Sequence, residues 1–343
     1  MTSDIETRCR ALVRDLELGQ PEQVRNVTPL TGGVASDIAR FDLAGKTICA
    51  KFALPKLKVA EDWHAPVHRN AAEYAWLQFA ANVNPAGAVA LFGRSPEQHG
   101  FAMEFIAGAD VYLWKDALLR QAPDRDEVTA VGDLLGRLQA ASAAPGFETA
   151  AFHNRDDFRA LRIEPYLTFT ATVHPDLAPV LNGLAEMLYA ADAVLVHGDV
   201  SPKNILLRGS GPVFLDAECA TMGDASFDPA FCLNHLVLKA VHLPASRDRL
   251  LGSVETFRAA FARHLDAASG AAVEARIARL LPALMLARID GKSPVEYLSE
   301  ASRAIVRDMA IDLLQTPETR LAELVGRVRA RLDQLQPPST TTA

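Results

Sequence analysis

The stretch LVHGDVSPKNILLRGSGPVFLDAECA holds the residues of this chain best able to do chemistry. Two short apolar runs, AVLVHGD and PVFLDAE, each deliver an acidic residue at a strand end, Asp199 and Asp216, 17 positions apart, the length of a hairpin-like return. Asn204 follows Asp199 by five positions in a loop that contains Pro202. A carboxylate and a carboxamide brought together in this way offer oxygen ligands to hard divalent cations, and Asp199 is then left to act on a hydroxyl proton. Phosphoryl transfer asks for little more: cations to neutralise developing charge, and a carboxylate to orient the attacking oxygen. The plain alternative is an acid-rich turn between two strands.

The ordered set H-G-D-x-x-x-x-N, then a strand, then D-x-E resembles the catalytic core of the aminoglycoside phosphotransferase and choline kinase group. The resemblance implies an α+β, bilobal protein-kinase-like fold, with a small β-rich N-terminal lobe and a larger, mainly helical C-terminal lobe. It implies Asp199 as catalytic base, Asn204 and Asp216 as magnesium ligands, Glu218 as an auxiliary ligand, and His197 and Ser201 as members of the supporting loop. Asp228 falls where related kinases use an aspartate to brace that loop by accepting backbone hydrogen bonds; a helix N-cap before Pro229 is the compatible plain reading. The segments KFALPKLKVAEDWH, LRIEPY and MGDASFD are also similar to methylthioribose kinases, and LARIDGKSPVEYL to related bacterial phosphotransferases. Asn204 stands where the methylthioribose group has serine, and Asp216-Ala217-Glu218-Cys219 where it has D-P-E-F.

Upstream, the same resemblance gives roles to residues in the expected order. Lys51 ends the apolar run ICAKFAL, and Glu73 lies 22 positions later in a helical pattern. In the kinase-like fold such a lysine contacts nucleotide phosphates and is held by a helix glutamate, and an unpaired buried lysine would be costly. Gly32 and Gly33 in LTGGVASDIAR let backbone amides approach phosphate oxygens, with Ser36 as a further hydroxyl donor. FAMEFIAG is similar to the strand between lobes, where backbone around Glu104 to Ile106 would meet an adenine edge and Met103 would line the pocket or simply pack in the core. Trp63 and His64 are candidates to close over the site. Glu164, Tyr166, His235, Arg288 and Asp290 are polar groups amid apolar helix sequence, each a candidate for substrate contact or loop support, and equally for a satisfied structural role.

These residues need elements to position them. From Val27 to Ala53 the chain reads as three short antiparallel strands, and Asn70 to Ala81 as a helix with Tyr74, Leu77, Gln78 and Ala81 on one face. Gly108 ends a further strand and marks the lobe boundary, giving an N-terminal lobe of residues 1–107 and a C-terminal lobe of residues 108–336. Apolar stripes at Val128, Val131, Leu134, Leu135 and Leu138, and at Leu177, Val180, Leu181, Leu184 and Leu188, predict helices. Helical pattern also fills Ser226 to Leu335. Ser293, Pro294 and Glu296 read as an N-cap, a first-turn proline and a capping-box glutamate, predicting a helix start there. Residues 337–343 are a polar tail expected to be disordered.

The 343 residues suffice for two domains or one large bilobal unit. With 49% hydrophobic and 22% charged residues, the chain can bury a sizeable core. A net charge of −7 has the wrong sign for a broad nucleic-acid surface. Four scattered cysteines without C-x-x-C spacing suggest buried thiols in a reducing compartment. The N-terminal segment lacks the apolar stretch of a secretory signal, and no apolar run reaches a membrane span. The expectation is a cytoplasmic kinase, monomer or homodimer, using ATP (GTP remaining open) and Mg²⁺ on a hydroxyl of an aminoglycoside, a sugar or an amino alcohol. The alternatives are a methylthioribose-kinase-like sugar kinase and, in another class, a catalytically silent nucleotide-binding scaffold. The scaffold reading expects at least one of Lys51, Asp199, Asn204 and Asp216 to be lost.

Overall fold

Alternation along the strands organises the first hundred residues. In the computed structural model, which describes residues 4–30, 36–56 and 66–335, α1 (Asp4–Asp15) precedes β1 (Arg25–Leu30), β2 (Ser36–Leu43) and β3 (Lys46–Ala53). Then come α2 (Arg69–Val83), β4 (Leu91–Ser95) and β5 (Gly100–Glu104). The five strands form one antiparallel sheet in the order β1-β2-β3-β5-β4. β3 lies at its centre and is covered on both sides. Ile48, Ala50 and Phe52 join Ala102 of β5 in an apolar cluster with Cys9, Leu12 and Val13 of α1. Cys49, Phe101 and Met103, of opposite parity, belong to the larger core shared with the rest of the chain. Lys51 has the parity of Cys49, so its side chain must leave the sheet on the α2 side.

Helices dominate after β6 (Tyr112–Leu113): α3 (Trp114–Leu119), α4 (Glu127–Ser142), α5 (Arg155–Phe158), a π-helical stretch Arg159–Thr168, α6 (Phe169–Val173) and α7 (Ala178–Ala190). Short strands follow: β7 (Val194–Val196), β8 (Ile205–Arg208), β9 (Gly211–Phe214) and β10 (Thr221–Gly223). The chain then runs through α8 (Phe227–His242), α9 (Arg247–Ala262), α10 (Ala267–Asp290), α11 (Glu300–Gln315) and α12 (Leu321–Gln334). Helix α8 is buried from Phe227 to Val241 and α10 over most of its second half, so both read as apolar nearly all round rather than striped. The whole is an α+β arrangement with a small antiparallel sheet and a larger helical part. Among the described residues, no helix is long and apolar enough to cross a membrane.

Two expectations need correcting. The runs ending at Asp199 and Asp216 do not pair as a hairpin: β7 pairs with β10, and β9 with β8. The two aspartates thus follow strands of different pairs, Asp199 after β7 and Asp216 after β9. No helix begins at Ser293, because Arg288 engages both its hydroxyl, at 2.8 Å, and its carbonyl, holding the segment as a turn. Helix α11 starts at Glu300, where the Ser299 side chain accepts from the Ser302 amide at 3.2 Å. The sequence reading also passed over α1 and β4, although Cys9, Leu12 and Val13 sit at helical spacing. Gly32, Gly33, Trp63, His64 and residues 337–343 lie outside the described residues.

Candidate active site

Residues 197–204 connect β7 to β8, and several groups fix their conformation. Asp228, fully buried in the first turn of α8, accepts from the amides of His197 at 2.7 Å and Gly198 at 2.9 Å. Its carboxylate therefore reaches across to a loop 30 residues earlier and does not cap its own helix. Burial pushes its pKa up to about 7, with the two amide donors acting in the other direction. Gly198 has φ +83°, and a Cβ there would come within 2.8 Å of Cys219 Cβ, so glycine is required. The His197 Nδ1 accepts from the Asp199 amide at 3.1 Å, which leaves the ring proton on Nε2. Burial lowers the pKa of His197 to about 4, so the ring is neutral at physiological pH. Its edge packs on Trp76 of α2, with 4.7 Å between centroids.

Asp199 is buried, and cations grip one of its two oxygens. Oδ2 lies 3.1 Å from Arg162 Nη2 and 3.3 Å from Lys203 Nζ, while Oδ1 has no hydrogen-bond partner among the described residues. Burial works against ionisation, but Lys203 and Arg162 outweigh it and hold the carboxyl below its usual range. The Asn204 Nδ2 donates to the Asp199 carbonyl at 3.1 Å, leaving Oδ1 of Asn204 as the ligand end of the carboxamide. The Ser201 carbonyl accepts from the Asn204 amide at 2.9 Å, and its hydroxyl is fully buried, which makes Ser201 part of the loop's own framework.

Asp216 follows β9 with φ +71°, a left-handed conformation that costs a non-glycine residue energy. Lys51 meets its carboxylate. Lys51 Nζ donates to Glu73 Oε1 at 2.7 Å and also bonds Asp216 Oδ1, so strand β3, helix α2 and the β9 end converge on one ammonium. Burial opposes the charge on Lys51, but Asp216 and Glu73 raise its pKa well above the ordinary value. Burial likewise pushes Glu73 up to about 7, against the pull of Lys51. Burial also opposes ionisation of Asp216, yet Lys51 and Lys203 hold its carboxyl well below the usual range.

The remaining candidates divide. Ser36 is buried at the start of β2, opposite Ala53. Met103 is buried on β5, and Ile106 lies half-buried just past that strand. The Glu104 carboxylate accepts from Ala90 N and pairs with Arg208 at 3.1 Å, which ties β5 to β8. Glu218, the expected auxiliary ligand, has Oε2 2.9 Å from Nε of the fully buried Arg69. Arg288 bonds Tyr166 Oη at 3.2 Å as well as Ser293. Glu164 pairs on the surface with Arg159, and Asp290 is clasped by Arg307 and His174, so neither is turned to a shared site. Sequence reasoning missed Arg69, Arg162 and Lys203. Each had a signal: Arg69 lies one helical turn before Glu73, Arg162 within LRIEPY, and Lys203 four residues after Asp199.

Among the described residues, no group of three or more His, Cys, Asp and Glu side chains is placed to hold a metal alone. The donors present still fit magnesium, which takes one or two protein oxygens and completes its shell with phosphate and water. Asn204 Oδ1 and Asp216 supply such oxygens, and Asp216 keeps 29% of its side chain exposed amid buried neighbours.

A model of the phosphotransferase enzyme family matches residues 26–278. Among solved structures, the fold is similar to a choline/ethanolamine kinase family protein from Mesorhizobium loti, at 16% identity and a TM-score of 0.54, over 95% of this chain and 99% of that one. It is also similar to an amicoumacin kinase in complex with AMP-PNP and Ca²⁺, at 14% identity and 0.55, over 94% and 100% of the two chains. A choline kinase from Streptococcus pneumoniae aligns at 13% identity and 0.52, over 92% and 100%. At such identities the likeness is one of fold. No curated protein matches the sequence.

Proposed function

Because the chain belongs to the phosphotransferase enzyme family, we propose that it transfers the γ-phosphoryl group of ATP, bound with Mg²⁺, to a hydroxyl of a small polar molecule. The observation that carries this reading is the state of Asp199. It is a buried carboxylate with one oxygen gripped by Arg162 and Lys203 and the other unpartnered, five residues from Asn204. That free oxygen is suited to accept the hydrogen of an acceptor hydroxyl and aim its lone pair. Lys51, fixed by Glu73, is suited to bind phosphate oxygens; Asn204 and Asp216 would hold magnesium, which neutralises charge on the transferring group.

In the reaction, the acceptor oxygen forms a bond to the γ-phosphorus as the bond from that phosphorus to the β–γ bridging oxygen breaks. ADP leaves, and the hydroxyl proton passes to Asp199 Oδ1 and from there to water. Arg162 and Lys203 keep the carboxylate oriented, so its contribution is positioning as much as basicity. A screen of ATP consumption over sugars, amino alcohols and aminoglycosides, with the wild type and Asp199→Asn, tests the reading. The amide keeps the size of the side chain but loses the charge, and turnover should fall by about 10²-fold or more, with nucleotide affinity by calorimetry little changed. Near-normal turnover, or joint loss of turnover and nucleotide binding, would remove Asp199 from the role of base.

A further inference from the structure

Two cations of the helical part, the buried Lys239 of α8 and the half-buried Arg288 of α10, have no carboxylate partner among the described residues. Phe231, His235 and Lys239 recur every four residues on one face of α8. Phe231 packs against Tyr166, with 5.5 Å between centroids, and His235 against Phe231 at 5.6 Å. Lys239 is 1% exposed and makes no ion pair among the described residues; its Nζ stands 4.9 Å from the centroid of Tyr297. Arg288 bonds Tyr166 and Ser293, neither of them an anion, and its buried Nε has no partner. The Tyr297 hydroxyl is buried and likewise without a partner.

Burial and the charges of Lys115 and Arg288 press the Lys239 ammonium down to about 7, and His235 senses burial together with Lys239, Arg288, Lys203 and Lys115. Lys239 touches the Tyr297 ring, while ring contacts lead from His235 through Phe231 to Tyr166 and on to Arg288, so the two cations flank one aromatic cluster. Tyr166 lies four positions after Arg162, which is 3.1 Å from Asp199. The carboxylates that answer the other cations are Asp199 and Asp216, both acting on Lys203, and Glu296, which pairs with Lys115 at 2.6 Å. A buried lysine without a counter-charge costs folding free energy. A chain that keeps one beside an arginine with an unspent donor has a use for an anion there.

Resting on the phosphotransferase reading above, we propose that the acceptor is anionic: beside the hydroxyl that is phosphorylated it carries an oxyanion, a carboxylate or a phosphate, held by Lys239 and Arg288. The aromatic wall of Phe231, Tyr166 and Tyr297 gives that acceptor an apolar side, and its hydroxyl points back toward Asp199. A cationic amino alcohol or aminoglycoside would meet repulsion from the same groups.

The test compares glycerate and ribose 5-phosphate, the two sources of oxyanion, with neutral ribose and cationic ethanolamine, on the full chain with ATP and Mg²⁺. Wild type should give a kcat/KM at least tenfold higher for one of the anions than for ribose or ethanolamine. In Lys239→Met the KM for that anion should rise at least tenfold, with the KM for ATP unmoved. The variant should melt no lower than wild type, since an unpaired buried cation has been replaced by an apolar side chain of similar size. A preference for ribose or ethanolamine, or an anion KM indifferent to Lys239→Met, overturns the proposal and leaves the kinase reading standing. If none of the four is phosphorylated, calorimetric binding decides. Anion binding weakened at least tenfold in Lys239→Met upholds the anion site even if the kinase reading falls, and equal or absent binding overturns it.

Discussion

At the scale of single residues, the site depends on charges that are buried and answered. Asp228 shows how specific the answer is. Its two oxygens each take one amide of the loop after β7, at 2.7 and 2.9 Å, and a carboxamide has only one oxygen to give. Asp228→Asn should therefore leave one buried N–H unsatisfied, at about 1–3 kcal/mol, and loosen the loop that carries Asp199. We expect a lower denaturation midpoint together with a fall in kcat and an unchanged KM for ATP. A variant equal to wild type in both stability and kcat would show that the loop holds itself. Lys51, Glu73, Asp199 and Asn204 were legible in the sequence because their types are dictated by the chemistry. Arg162 was not singled out, because an arginine in a helix has many uses and only the fold brings it 3.1 Å from Asp199.

Among elements, α2 is the piece that joins the sheet to the helical part. It offers Glu73 to Lys51, Trp76 to His197, and Arg69 to Glu218, with Arg69 also donating to the carbonyls of Leu54 and Pro66. Arg69 thus ties the end of β3, the start of α2 and the segment after Asp216 into one unit. Breaking a buried pair from one side costs about 3–5 kcal/mol, because the other charge is left alone. Arg69→Met should be strongly destabilising, and adding Glu218→Gln should recover part of the loss, giving a non-zero coupling in a double-mutant cycle. Additive losses in urea denaturation would mean that the two side chains do not act as a pair.

For the whole molecule, the same charges set how stability follows pH. Glu73 and Asp228 have folded-state pKa values raised to about 7. The folded chain keeps these protons after the unfolded chain has lost them, so their contribution falls as pH rises from about 4 toward 7. Lys239 has the opposite sign. Its folded value is lowered to about 7 from 10.5, so above pH 7 the unfolded chain binds the extra proton and stability rises with pH, by at most about 1.4 kcal/mol per pH unit. Urea midpoints between pH 7 and 8.5 should climb more steeply in wild type than in Lys239→Met. Parallel profiles would mean that Lys239 is not held near neutrality. A protein of net charge −7 thus keeps a buried lysine with no ion-pair partner among the described residues, a local feature that overall charge does not report.

The sequence by itself determined the pairing of Lys51 with Glu73, the strand-rich start and the helical remainder. Those signals are local: residue type, a spacing of a few positions, and a period of two or 3.6. It misplaced the start of α11, since Ser293 carries a capping pattern that Arg288, from the preceding helix, claims for a turn. It also read a hairpin where β7 and β9 each take a different partner, because strand pairing is a choice among distant segments that no local pattern encodes. Only the tertiary structure brought Arg69 to Glu218, 149 positions away, and set Lys239 against Tyr297 and Arg288 against Tyr166. Whether a charge is buried and what answers it depend on all the elements packed around it, so that balance is decided when the chain folds.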